Sequence, residues 1–242
     1  MSDQQRALHH VPTYVKLLLI ISLILQLGWQ LHLPGPQLKT RDLTTPPKVE
    51  VVRTLSLGDP VSSAKLLMLW LQSFGAQAGR ILPYKQFDYN KLQEWLEIIL
   101  KLDPSTQYPL LAASHLYVNV SDPQKKRHML EFVYQQFFID PQHRWMWLAN
   151  AAVLARHRLK DLPLALKYAK AITDNATPNM PRWAREMQIF ILEDMGEFER
   201  AQLIVGGMLE KGYVTEPDQI RFLSEMLENL SQKAVQKNMG SN

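Results

Sequence analysis

Four acids crowd into seven residues at Glu193, Asp194, Glu197 and Glu199. A cluster this dense could present a negative patch to a basic peptide, although a solvated turn is the simpler account. Metal chemistry has less to work with. There is no H-E-x-x-H, His9 and His10 lie near the start of the chain, and His115, His128, His143 and His157 occur singly. His143 and His157 would sit at opposite ends of one helix, too far apart to share an ion. The chain has no cysteine, which excludes disulfides, thiolate catalysis, zinc–thiolate sites and iron–sulfur ligation. No G-x-S-x-G and no phosphate-cradling glycine loop occurs. The expectation is therefore a protein that is not an enzyme, with no catalytic residues, no metal and no cofactor. An enzyme acting on envelope glycan or lipid is the alternative of a different class, and it would need an acid pair converging in a groove.

The tryptophans offer recognition rather than reaction. HRWMWLAN places Trp145 and Trp147 near the start of one predicted helix, and Trp183 takes the corresponding place 36 residues after Trp147. Residues two apart lie about 200° around a helix, so Trp145 and Trp147 cannot face the same way. One is expected in the core and the other on a groove as an anchor for a bound peptide. The candidate partner-binding residues are Trp145, Trp147 and Asn150, with Trp183 and Glu186 in the next equivalent helix. Gly206-Gly207 falls mid-helix and reads as a site of close helix packing.

The elements that must position them are helical. In FDYNKLQEWLEIILKLDP, Leu92, Trp95, Leu96 and Ile99 recur at i, i+3, i+4 and i+7, and Lys91, Gln93, Glu94, Glu97 and Lys101 take the other face. Asp88 or Asn90 can cap the start, Glu97 and Lys101 can pair across one turn, and Pro104 blocks continuation. The same design returns downstream. Proline stops fall at Pro104, Pro141, Pro178 and Pro217, in steps of 37, 37 and 39 residues. The apolar position near the start of each second helix falls at Leu92, Met129, Ala165 and Ala201, in steps of 37, 36 and 36. Helical blocks at 108–118, 145–157 and 182–194 fill the intervals. No segment alternates with a period of two, so no sheet is expected. Residues 75–86 read as an inserted loop.

Helix–turn–helix units of this length resemble tetratricopeptide repeats, whose period is about 34 residues. GEFERA (196–201) and FDYNKL (87–92) are similar to the inter-helix turn of that family, and LKLDP (100–104) to its exit. The period here is longer, and the glycine of the family's first helix is missing. The resemblance implies an all-α fold: a right-handed solenoid of helical hairpins, about four units over 61–217, closed by a capping helix and tail at 218–242. It also implies protein partners held on a concave face lined by first helices.

Ahead of the repeats, residues 15–33 hold a long apolar run with no acid, and read as a single transmembrane signal-anchor after a tail at 1–14. Residues 34–60 read as a proline-rich linker. The bulk of the chain is expected on the periplasmic side of a bacterial inner membrane, with a cytoplasm-facing import-receptor-like arrangement as the alternative. Net charge is only +4, and its densest run, KKRH at 125–128, reads as a solvated helix face, so no nucleic-acid partner is expected. The sequence leads to a membrane-anchored interaction scaffold for an envelope assembly, secretion or translocon complex.

Overall fold

The computed structural model describes residues 12–32, 43–74, 76–77, 80–81, 84–177, 180–210 and 216–240. The described chain is helical almost throughout: α1 (Thr13–His32), α2 (Val49–Leu55), α3 (Pro60–Phe74), α4 (Tyr89–Leu102), α5 (Tyr108–Leu111), α6 (Pro123–Phe137), α7 (Pro141–Leu154), α8 (Leu162–Asp174), α9 (Arg182–Asp194), α10 (Phe198–Glu210) and α11 (Pro217–Gly240). Helices α5 and α7 each continue into a wider π-helical turn, Ala112–Tyr117 and Ala155–Leu159. The all-α expectation holds apart from one minimal antiparallel pair. In the inserted loop, β1 (Ala76–Gln77) pairs with β2 (Arg80–Ile81), Ala76 opposite Ile81 and Gln77 opposite Arg80.

The chain divides into two units, 1–41 and 42–242. In the first, α1 exposes Leu18, Leu19, Ile24, Leu25 and Trp29. The expected span falls on this helix. Yet among the described residues no helix is long and apolar enough to cross a membrane. Its densest apolar block runs from Leu17 to Leu27, with Ser22 and Gln26 within it and Lys16 and Gly28 at the borders. At about 1.5 Å per residue, that block covers about half of the ~30 Å hydrocarbon layer.

The second unit begins earlier than the sequence suggests. Leu43 and Val52 are buried, Trp95 donates its indole N–H to the Thr44 carbonyl at 2.9 Å, and Arg53 donates to the Lys101 carbonyl at 2.9 Å. The second half of the expected linker is thus packed structure, with α2 inside it. Residues 33–42 lie outside those described.

Aspartates set the helix starts. Asp88 caps α4 by accepting from the backbone N–H groups of Asn90 and Lys91, Asp122 caps α6, Asp140 caps α7 and Asp161 caps α8. The prolines expected as stops work largely as starts. Pro141 and Pro217 are the first residues of α7 and α11, where a missing N–H costs nothing. Pro104 instead occupies a turn closed by the Thr106 N–H on the Asp103 carbonyl. Pro178 lies outside the described residues.

Packing follows chain order. α3 packs on α4, α6 on α7, α7 on α8, α8 on α9, α9 on α10 and α10 on α11. Leu92, Met129, Ala165 and Ala201, the four register landmarks, are all fully buried. One core cluster runs from Leu43 to Ile191, and a second unites α9, α10 and α11 through Ile189, Leu192, Ala201, Val205, Leu223 and Leu230. Between helices, side-chain bonds recur at separations of 36 to 40 residues. Asn150 reaches Ser114 across 36 residues, Lys167 reaches Glu131 across 36, Arg156 reaches Asp194 across 38 and Lys233 reaches Glu193 across 40.

Candidate partner-binding face

Helix α7 carries three of the five candidate residues, and the two tryptophans separate as the helical period requires. Trp145 points to α9, where its ring meets Trp183 edge-on at 5.7 Å between centroids. Trp147 points to α5 and the turn before it, donating its indole N–H to Gln107 Oε1 at 2.8 Å and setting its ring edge-on to His115 at 6.1 Å. The sequence expectation was one core and one groove tryptophan. Both are half-buried and both pack against the core. The most exposed indole of the set is Trp183, at 53 %.

Asn150 lies one turn beyond Trp147 on α7. Its side-chain amide donates to the Ser114 carbonyl at 3.1 Å and approaches His115 Nδ1 at 3.5 Å. The Ser114 carbonyl belongs to the π turn after α5, and Ser114 Oγ donates to the Leu110 carbonyl at 2.8 Å. Trp147, Asn150, Gln107 and His115 therefore form one polar–aromatic seam between α7 and the segment of α5 with its π turn. Gln107 and His115 were not singled out from the sequence. Their spacings, 40 residues from Gln107 to Trp147 and 35 from His115 to Asn150, lie on either side of the repeat length and are the signal that could have found them.

Glu186 departs from the expectation of a partner-facing residue. It is 3 % exposed and accepts from Gln219 of α11 at 3.3 Å, with Arg182 Nε 4.0 Å away. Burial raises its pKa above the ordinary carboxylate value, and the Gln219 hydrogen bond with Arg182 and Arg185 only partly offsets this. A second buried charge escaped the sequence reading. Arg144 is 2 % exposed, and it donates to the Gln136 carbonyl at 3.0 Å, to Gln136 Oε1 at 3.1 Å and to the Pro104 carbonyl at 3.1 Å. Its guanidinium thus closes the carbonyl end of α6 and the turn after α4, where helix dipoles favour a cation. Burial lowers its pKa, and nearby Asp140 acts against that shift.

Three of the four clustered acids are spent inside the chain. Glu193 pairs with Lys233, Asp194 with Arg156, and Glu197 with Arg200. A free negative patch is not what these residues form. His143 pairs with Asp140 at 2.9 Å, and among the described residues no group of three His, Asp or Glu side chains is placed to hold a metal ion. Comparison with protein-family models, with curated proteins and with solved structures returns no match.

Proposed function

We propose that this chain is a membrane-attached interaction scaffold, with tetratricopeptide-like hairpins stacked as a right-handed solenoid that holds a protein partner in a cell-envelope complex. The observation that carries the reading is the packing of helices in chain order, tied by side-chain bonds across 36 to 40 residues, with the Trp183 ring of α9 exposed beside Trp145 of α7. Nearest-neighbour stacking leaves successive first helices side by side, and a surface shared by several repeats can hold an extended segment or a helix of a partner. Trp183 and its edge-on partner Trp145 supply an amphipathic anchor of the kind that dominates protein interfaces. The apolar side chains of α1 supply attachment to the bilayer, and attachment raises the effective concentration of the scaffold for partners in the same membrane.

The test is cross-linking in native membranes with the full chain and its Trp183→Ala and Trp145→Ala variants. Both variants should keep their helical circular dichroism and lose the cross-linked product that the parent forms. Full recovery of that product with both variants overturns the assignment of this face.

A further inference from the structure

The basic run at 125–128 and the one at 156–158 meet in the fold, and each is used in the same way. In the first, Lys125 donates to the Phe87 carbonyl at 3.0 Å and lies over the Tyr89 ring, and Arg127 pairs with Asp161. In the second, Arg156 pairs with Asp194. The remaining cation of each run, Lys126 and Arg158, lines one cleft of about 190 Å³ together with His115, Asn119 and Asn150. Among the described residues neither Lys126 nor Arg158 has a carboxylate within 4.0 Å, and no acid lines the cleft. The acids of the two adjoining turns, Asp122 and Asp161, are committed to capping α6 and α8.

The backbone widens at the same place. Both first helices that border the cleft end in π turns, and Ser114 and His115 come from one while Arg158 and Leu159 come from the other. An inserted residue pushes a helix wall outward, and such turns gather at binding sites. Two cations with two carboxamides and an imidazole supply more charge and more donors than a single carboxylate can use. A doubly charged tetrahedral oxyanion would neutralise Lys126 and Arg158 together and fill the donor positions. Leu130 and Leu154 give the cleft an apolar wall for the group that carries it.

We propose that this cleft binds the phosphoryl head of a phosphate monoester, with Lys126 and Arg158 as the paired cations and Asn119 and Asn150 as amide donors. The site goes beyond the scaffold reading and does not depend on it, since a small anion needs neither the bilayer nor a protein partner.

The test is thermal unfolding of the full chain in detergent, at fixed ionic strength, in inorganic phosphate against chloride and against acetate. Phosphate should raise the midpoint in a concentration-dependent way, as any ligand of the folded state does. Lys126→Gln and Arg158→Gln should each weaken phosphate binding by about tenfold, the scale of one charge-assisted hydrogen bond. Lys170→Gln, which removes a surface pair with Asp174, should leave it unchanged. Glycerol phosphate and vesicles containing phosphatidic acid then separate a soluble source of the monoester from a lipid headgroup, the tighter of the two naming it. A midpoint no higher in phosphate than in chloride overturns the site. So does equal binding of acetate, or phosphate affinity untouched in both cleft variants.

Discussion

Glu186 sits where a polar residue has no energetic reason to be unless something else needs it. Its carboxylate is buried against Gln219, and burial holds its pKa above the ordinary value of 4.5. The folded chain therefore binds this proton more tightly than the unfolded chain. Stability associated with Glu186 is greatest at acid pH and falls as pH rises through the unfolded value towards the raised folded one. Glu186→Gln keeps the shape and the hydrogen bond and removes the ionisation. We expect it to match the parent near pH 4 and to exceed it at pH 7 by up to about 1 kcal/mol, measured by urea denaturation at both pH values. A variant less stable at pH 7 than the parent would mean that the Arg182 and Arg185 charges outweigh burial. The sequence showed only that Glu186 lies one period after Asn150. It could not show that α11 covers it, because the covering residue is 33 positions away. The two tryptophans were more legible. A separation of about 200° dictates that they diverge, but which neighbour each one meets depends on how the helices stack.

At the scale of elements, the amphipathic periods were legible because burial and local geometry agree. The stripe Leu92, Trp95, Leu96 and Ile99 is buried as its spacing requires, and Glu97 stands 3.9 Å from Lys101. The Asp-Pro pair at 140–141 misled in direction. It fits a helix end, but an aspartate side chain is worth more as an N-cap, and proline is best tolerated in a first turn. The π turns were not legible, since Ala112–Tyr117 and Ala155–Leu159 contain ordinary helix formers. Gly206 and Gly207 correct another expectation. Among the described residues, a Cβ at either meets nothing within 4 Å, so close packing against another described helix does not explain them. Gly196 is different: it terminates α9 at φ +69°, with the Glu197 N–H on the Leu192 carbonyl at 2.9 Å. Gly206→Ala and Gly207→Ala should each stabilise α10 by about 0.5–1 kcal/mol, the ordinary helix-propensity difference. Gly196→Ala should destabilise by about 1 kcal/mol, since an L side chain resists the left-handed region. Thermal melts of the three variants check both signs. A lowered midpoint for the two α10 variants would mean that something outside the described residues fills that space.

For the folded unit as a whole, the distribution of burial predicts a gradient of local stability. Helix α4 buries eight residues, α6 and α8 six each, and α10 only Ala201 and Val205. The second cluster is small and joins the main core through α9, with Leu166 touching both. In a nearest-neighbour stack, a terminal element is held from one side and opens without disturbing the rest. The aspartate–cation bridges at this end, such as Arg156 with Asp194, are partly exposed and add little against that opening. Native-state hydrogen exchange read by mass spectrometry should therefore give the slowest amides in α4, α6 and α8, and faster exchange in α10 and α11. Mild denaturant should release α10 and α11 before the centre. Equal protection from Tyr89 to Gly240, lost in one step, would instead require a single cooperative core, and the separation of the C-terminal cluster would then have no energetic meaning.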